Sequence, residues 1–206
     1  MNDSSNSLLQ NRDFVRYFCA AFMATLATQI EAVAVAWQIY AIARNPLALG
    51  YVGLAQFIPM ATLFFVAGDV VDHYNRRRVL TITYAAQALA TVLLLMLTCQ
   101  SVQDERLFYI ALVLLGSARA FGQPAGQSFL PQLVSSERFP QAVAWTSSSR
   151  QSAVIIGPAL GGFIYIWGPA AAYAVCLIFY VATSLAIATL HTNRQPRPLD
   201  PSTSAF

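Results

Sequence analysis

The stretch AGDVVDHYNRRRVL, Ala67 to Leu80, sets two aspartates, a histidine and three consecutive arginines between two long apolar runs. Only 10% of the 206 residues are charged and 57% are hydrophobic, whereas soluble domains carry about 25% charged residues. Charge this scarce and this clustered belongs at the mouth of a membrane rather than on a solvated domain. The stretch is therefore read as the short loop between two membrane-crossing helices.

Working outward, six segments are long and apolar enough to cross about 30 Å of hydrocarbon, which takes about 20 residues of helix. They are expected at 14–43, 47–71, 79–99, 107–122, 141–167 and 170–190, with tight turns at RNP (Arg44–Pro46) and WGP (Trp167–Pro169). The first apolar run is too long for a cleaved signal peptide, which needs a basic start and a short apolar core, and is read as a retained span. Residues 1–13 form a polar N-terminal segment, 14–191 the six-helix unit, and 192–206 a Pro- and Ser-rich tail expected to be a disordered linker.

Arginine placement orients the spans, because basic residues stay on the cytoplasmic side. Arg12, Arg16, Arg76, Arg77, Arg78, Arg138, Arg194 and Arg197 fall on one side, and Arg44 and Arg106 on the other. Both termini are then expected in the cytoplasm, at a bacterial inner membrane. The chain has no lysine, and its formal charge of +3 is local rather than spread over a basic face, so nucleic acid is not an expected partner. Cys19, Cys99 and Cys176 lie far apart in apolar runs and are read as reduced, buried small hydrophobes. No metal or cofactor is expected.

Arginines at a span end would serve as a topology signal in nearly any membrane protein, but Gly68 and Asp72 need another reason. Gly68, Asp72, Arg76 and Arg77 make the pattern G-x-x-x-D-x-x-x-R-R between the second and third spans. In spacing and in place it resembles the loop signature of the major facilitator superfamily. His73 stands where that family usually has arginine, and Asn75 where it has glycine, a position where left-handed backbone is expected to survive on asparagine. Asn45–Pro59, Ala118–Val134 and Ser147–Tyr165 further resemble the exporter branch that includes the enterobactin exporter and drug:proton antiporters. Gly157, Pro158, Gly161 and Gly162 resemble its fifth-helix G-P-x-x-G-G motif, with Ala153 in place of an upstream glycine.

The resemblance implies an all-α six-helix bundle, half of a twelve-helix fold built from three-plus-three inverted repeats. It implies efflux of small amphipathic molecules or siderophores by alternating access, coupled to protons. Asp72 would act as a gate, pairing with Arg76 four residues on or meeting the N-terminus of another helix; the bland alternative is a weak surface ion pair. Asp69 is read as a span-end residue. The second half-bundle is not among the six spans. A truncated or split reading frame, a separate polypeptide and a homodimer all remain open, as does a fragment without transport activity of its own.

Charged groups at membrane depth are costly, so each is a functional candidate. Glu31 lies near the middle of the first span, on one face with Thr28 and Gln38, a polar stripe expected to point into a cavity. Glu31 is either a proton carrier or a carboxyl satisfied by a neighbouring helix. Arg119, with Gly116, Gly122, Gln123 and Gly126 on roughly its own face, matches the arginine of the family's fourth-helix motif, implicated in proton coupling. Arg150, on the side of Gly157 and Gly161, is a cavity residue or snorkels to the surface. Pro158 is expected to kink the fifth helix. Trp37 and Tyr40 read as interfacial anchors. An intramembrane hydrolase or metalloenzyme would need a catalytic or ligand cluster at depth. His73 and His191 both fall at span ends, and no span carries two acids except at its margin, which speaks against that reading.

Overall fold

The computed structural model describes residue 8 and residues 10–190, which hold six long helices and no strand. The helices are α1 (Arg12–Ala43), α2 (Pro46–His73), α3 (Arg76–Cys99), α4 (Glu105–Phe129), α5 (Phe139–Tyr165) and α6 (Pro169–Ala188), with a 3-10 turn at Leu130–Gln132. The expected tail, with His191, Arg194 and Arg197, lies outside the described residues, as does most of the N-terminal segment.

A polar side chain caps the start of four of the six helices. Asn11 accepts hydrogen bonds from the backbone of Asp13 and Phe14, Asn45 from Leu47, Asn75 from Arg77 and Asp104 from Arg106. Each satisfies an N–H that the first helical turn leaves unpaired. Pro46 and Pro169 sit at helix starts, where a missing N–H costs nothing. Gly168 takes φ +99°, a left-handed value that lets WGP reverse the chain between α5 and α6. Asn75 is not left-handed as expected. At φ −65° and ψ 112° it is an extended N-cap, so asparagine replaces glycine there as a capping side chain.

Five helices meet the length and apolarity of a membrane crossing; α5 falls short because Thr146–Ser152 is polar. Its 27 residues still match its neighbours in length, and it packs along α1. α4 runs to Phe129, well past the expected end at 122. Its glycines are not breakers but close contacts: a Cβ at Gly122 would lie 3.4 Å from Thr83, and one at Gly126 3.3 Å from the Tyr17 hydroxyl.

The helices pack in the order α2–α4–α3–α6–α1–α5. Exchanging the first three helices for the last three reverses this order and leaves it unchanged, as a three-plus-three repeat requires. α2 leans chiefly on α4, and α5 chiefly on α1. These two edge helices expose broad apolar faces, with Phe57, Phe64 and Phe65 on α2 and Ile155 and Phe163 on α5. The buried core has two parts. One gathers Ile30, Val35, Leu94, Leu112, Tyr173 and Tyr180 between α1, α3, α4 and α6. The other, near the arginine-rich end, gathers Phe14, Tyr17, Leu80, Phe129, Leu133 and Leu190.

Cys176 is buried and donates to the Ala27 carbonyl at 3.3 Å, but Cys19 and Cys99 are exposed. The expectation of three buried cysteines thus fails for two, which lie on outward faces of α1 and α3. Trp37 and Tyr40 are exposed near the far end of α1.

Candidate functional site

Glu31 and Arg119, 88 residues apart in sequence, meet at mid-bundle. Arg119 Nη2 lies 2.8 Å from Glu31 Oε2, and the Glu31 side chain is only 1% exposed. Neither carboxylate oxygen is left unpartnered. Thr91 on α3 donates to Oε1 at 2.7 Å, and Tyr180 on α6 donates to Oε2 at 3.0 Å. Arg119 Nη1 donates to Gln56 Oε1 on α2, and the Thr28 and Tyr180 hydroxyls stand 3.2 Å apart. Five of the six helices therefore meet around one ion pair.

Small residues make this convergence possible. A Cβ at Gly116 would run into the Gln56 backbone, so the missing side chain brings α2 against α4 one turn before Arg119. On α6, Tyr173, Cys176 and Tyr180 fall three and seven residues apart and so share the face that meets α1. The Tyr173 hydroxyl and Arg119 Nε are buried without a hydrogen-bond partner among the described residues. Sequence reasoning singled out Glu31 and Arg119 but missed Thr91, Gln56 and Tyr180, since threonine, glutamine and tyrosine in apolar helices carry no distinguishing pattern.

The stripe Thr28–Glu31–Gln38 splits. Gln38 and Thr98 exchange hydrogen bonds at 3.0 and 3.2 Å, two turns beyond Glu31. Thr28 and Glu31 face the α6 tyrosine instead. The stripe is packed inside the bundle rather than lining an open cavity.

The loop signature is looser. Asp72 is exposed and makes no ion pair among the described residues. The expected contact with Arg76 does not form because α2 ends at His73 and α3 begins at Arg76, so the four-residue spacing no longer places both on one helix face. The ion pair at this corner joins Asp69 to His73 instead, at 3.2 Å, with both side chains exposed. His73 also meets the Asp69 carbonyl. That contact first, then the Asp69 carboxylate and more weakly Asp72, lifts the imidazole above its ordinary range. Arg77 donates to the Leu190 carbonyl at 2.6 Å, tying this loop to the end of α6. The Nε of Arg76 is buried without a hydrogen-bond partner among the described residues. Gly68 has open space where a Cβ would stand.

The fifth-helix motif divides between two faces. Gly157 and Gly161 face α1, where added Cβ atoms would meet Gln29 and, at 3.1 Å, Ile30 and Val33. Ala153, one turn earlier, is buried on the same face. Pro158 and Gly162 are exposed on another side. Proline lacks the N–H that would bond the carbonyl of residue 154, and Gln29 Nε2 donates to that carbonyl at 3.5 Å. The helix is unbroken through Pro158, its lost donor partly replaced from α1. Arg150, on α5, is exposed. Among the described residues, no three metal-ligating side chains gather.

An all-α bundle of apolar helices, symmetric under exchange of its halves and pinned by a buried ion pair, has the architecture of a membrane transporter domain of the major facilitator superfamily. The chain belongs to the transmembrane secretion effector family of that superfamily, whose model matches residues 3–204. It is 28% identical over 189 residues to the staphyloferrin A transporter of Staphylococcus aureus (strain NCTC 8325 / PS 47), covering 90% of this chain and 47% of that protein. It is 26% identical over 196 residues to the lysophospholipid transporter LplT of Serratia proteamaculans (strain 568), covering 93% and 46%. Similarity to multidrug resistance protein 2 of Bacillus subtilis (strain 168) is 24% over 145 residues, covering 70% and 34%. The chain spans about half the length of the curated relatives it matches. The first two of these relatives are named as transporters.

Proposed function

We propose that these six helices form one half of a proton-coupled exporter of small amphipathic molecules or siderophores, working by alternating access against a second six-helix half. The observation that carries the reading is the Glu31–Arg119 ion pair, buried where four further polar side chains converge. A proton arriving on Glu31 cancels its charge and dissolves the pair. Arg119 then keeps its hydrogen bonds to Gln56 and, at 3.5 Å, to the Tyr180 hydroxyl. Because the pair links α1 to α4, the first helices of the two three-helix repeats, its loss loosens the contact between them. Loss of the proton restores it. A switch between two packings of this kind is what rocking one bundle against another requires.

Relatives named for a siderophore and a lysophospholipid support a small, partly polar cargo. The broad apolar faces of α2 and α5 and the exposed Asp72 supply surfaces for lipid and for the second half, be it further residues of the same polypeptide, a separate chain or a second copy. The arginine excess supports a cytoplasmic side for the loop signature and both termini, at a bacterial inner membrane.

Proton-driven efflux from vesicles tests the reading. Parent vesicles are expected to export an amphipathic dye when a proton gradient is imposed, and Glu31→Gln vesicles to lose the response to the gradient. Gradient-driven efflux equal in the two would remove Glu31 from the coupling step.

A further inference from the structure

Three side chains hold the Glu31 carboxylate, and they differ in what they can do with a proton. Arg119 on α4 is permanently charged and has no lone pair with which to accept one. Thr91 on α3 is 0% exposed, and its hydroxyl reaches only the carboxylate and, at 2.9 Å, the Gln87 carbonyl of its own helix. A backbone carbonyl passes nothing on. Tyr180 on α6 is equally buried, but its hydroxyl stands 3.2 Å from that of Thr28 as well as 3.0 Å from Glu31 Oε2. Thr28 is only part-buried. Among the described residues, this is the one chain of hydroxyls that joins the enclosed carboxylate to a part-exposed group.

The chain runs to one side. Thr28 precedes Glu31 by three residues, roughly 4.5 Å along α1 toward the arginine-rich end. Thr25 and Gln29 share its face and are part-buried too, so α1 carries a polar edge where the chain ends. In the other direction Ala34, Val35 and Leu94 are each at most 1% exposed and separate Glu31 from the next polar pair, Gln38 and Thr98. No hydrogen bond joins that pair to Glu31 among the described residues. The other titratable groups on this face of α6 lie off the path: the Cys176 thiol donates to the Ala27 carbonyl, and the Tyr173 hydroxyl has no partner among the described residues. α5 brings only Gly157 and Gly161 against this part of α1, and α2 reaches Arg119 through the neutral Gln56.

We propose that Thr28 and Tyr180 form a two-hydroxyl proton relay that loads and unloads Glu31 from the arginine-rich side of the bundle. At rest Tyr180 gives its single hydrogen to Glu31, and Thr28 gives its own to the Ala24 carbonyl at 3.0 Å. A turn about its C–O bond aims the Thr28 hydroxyl at Tyr180 and completes the wire. A hydrated proton then passes to Thr28 Oγ1 as the Thr28 hydrogen moves to the Tyr180 oxygen and the Tyr180 hydrogen moves to Glu31 Oε2. Water is left behind, each hydroxyl again holds one hydrogen, and the carboxylate has become a neutral acid. The reverse sequence unloads it. The apolar block beyond Glu31 keeps the opposite side closed in this packing, so the proton enters from one side at a time, as alternating access requires. The relay rests on the reading that Glu31 carries the coupling proton, and it names the path that proton takes.

The test uses the full 206-residue chain in nanodiscs. Time-resolved infrared spectroscopy after a light-triggered release of protons follows the rise of the carboxyl band that Glu31→Gln lacks. Thr28→Val keeps the shape of the side chain and touches none of the groups that hold the carboxylate. It should slow the rise about a hundredfold, the lower end of what a positioned proton-transfer group contributes, while the equilibrium midpoint of the band stays in place. Thr28→Ser, which restores a hydroxyl, should recover most of the rate. Tyr180→Phe keeps the ring but also removes a hydrogen bond to the carboxylate, so it should slow the rise and move the midpoint as well. A merely structural role for Thr28 would not separate rate from midpoint. Equal rates in the parent and Thr28→Val, or equal slowing in Thr28→Val and Thr28→Ser, would overturn the relay and leave Glu31 as the proton carrier. A parent with no carboxyl band dependent on Glu31 would overturn both.

Discussion

The Glu31–Arg119 network and the Gly68–Arg77 loop invert the relation between sequence signal and structural order. The loop carries the strongest motif in the chain, yet Asp72 stands exposed and makes no ion pair among the described residues. Glu31 belongs to no recognised pattern, yet it makes the most fully satisfied polar contact in the bundle. A buried charge must be matched within its own fold, because isolated it costs several kcal/mol (about 3–5 kcal/mol when one partner of a buried pair is removed). A surface gate has the opposite requirement. Its contact must break in every cycle, so a weak or absent partner in one state is compatible with function.

The sharpest way to break this comparison is to remove Arg119. Arg119→Gln leaves Glu31 buried without its cation and should lower stability by about 3–5 kcal/mol, seen as a large fall in the unfolding midpoint in detergent. The double variant Glu31→Gln/Arg119→Gln, which removes both charges, should recover much of that loss. A destabilisation that simply adds would mean that the pair is not coupled.

Next come the two glycines of the fifth-helix motif. Gly157→Val pushes a side chain into Gln29 and should cost about 1–3 kcal/mol. Gly162→Ala, with open space around it, should fall within about 0.5 kcal/mol of the parent in the same denaturation series. Equal effects would remove the distinction between the faces of α5.

Within the loop, Arg77→Ala forfeits the bond to the Leu190 carbonyl and should cost about 1.5–3 kcal/mol, whereas Asp72→Asn should leave the stability of this chain unchanged. A clear loss from Asp72→Asn alone would reveal a partner that the structure does not place beside it.

The smallest expected effect concerns His73. Its contacts with Asp69 raise the imidazole above its ordinary value, so the charged pair is complete at low pH and is lost as pH rises through the elevated value. An NMR titration of His73 should move toward the ordinary midpoint in Asp69→Asn. An unmoved midpoint would remove Asp69's carboxylate as a cause. Being fully exposed, the pair is expected to tune local charge rather than hold the fold.

Most of the helices were legible because hydropathy reports membrane spans directly. Their ends were less so. The expected span stopped at Gly122, and the partners Thr83 and Tyr17 show Gly122 and Gly126 as packing contacts within a helix that continues. The Asp72–Arg76 spacing suggested a helical pair because a break of two residues is invisible to counting. Depth and charge singled out Glu31 and Arg119 separately. Their meeting depends on α1 and α4 facing each other across 88 residues of chain, and no local pattern encodes that. The one available hint was Gly116, three residues before Arg119, which marks a close helix approach without naming Gln56 as the partner.

The central claim is that Glu31 takes up and releases a proton in place. Infrared difference spectroscopy of the reconstituted chain across a pH titration tests it most directly, through the carboxyl stretch of the protonated acid. A carboxyl band should appear on acidification in the parent and vanish in Glu31→Gln, with Arg119→Gln shifting the pH at which it appears. An identical set of carboxyl bands in the parent and Glu31→Gln at every pH would mean that the pair never exchanges a proton, and would leave it a fixed structural tie.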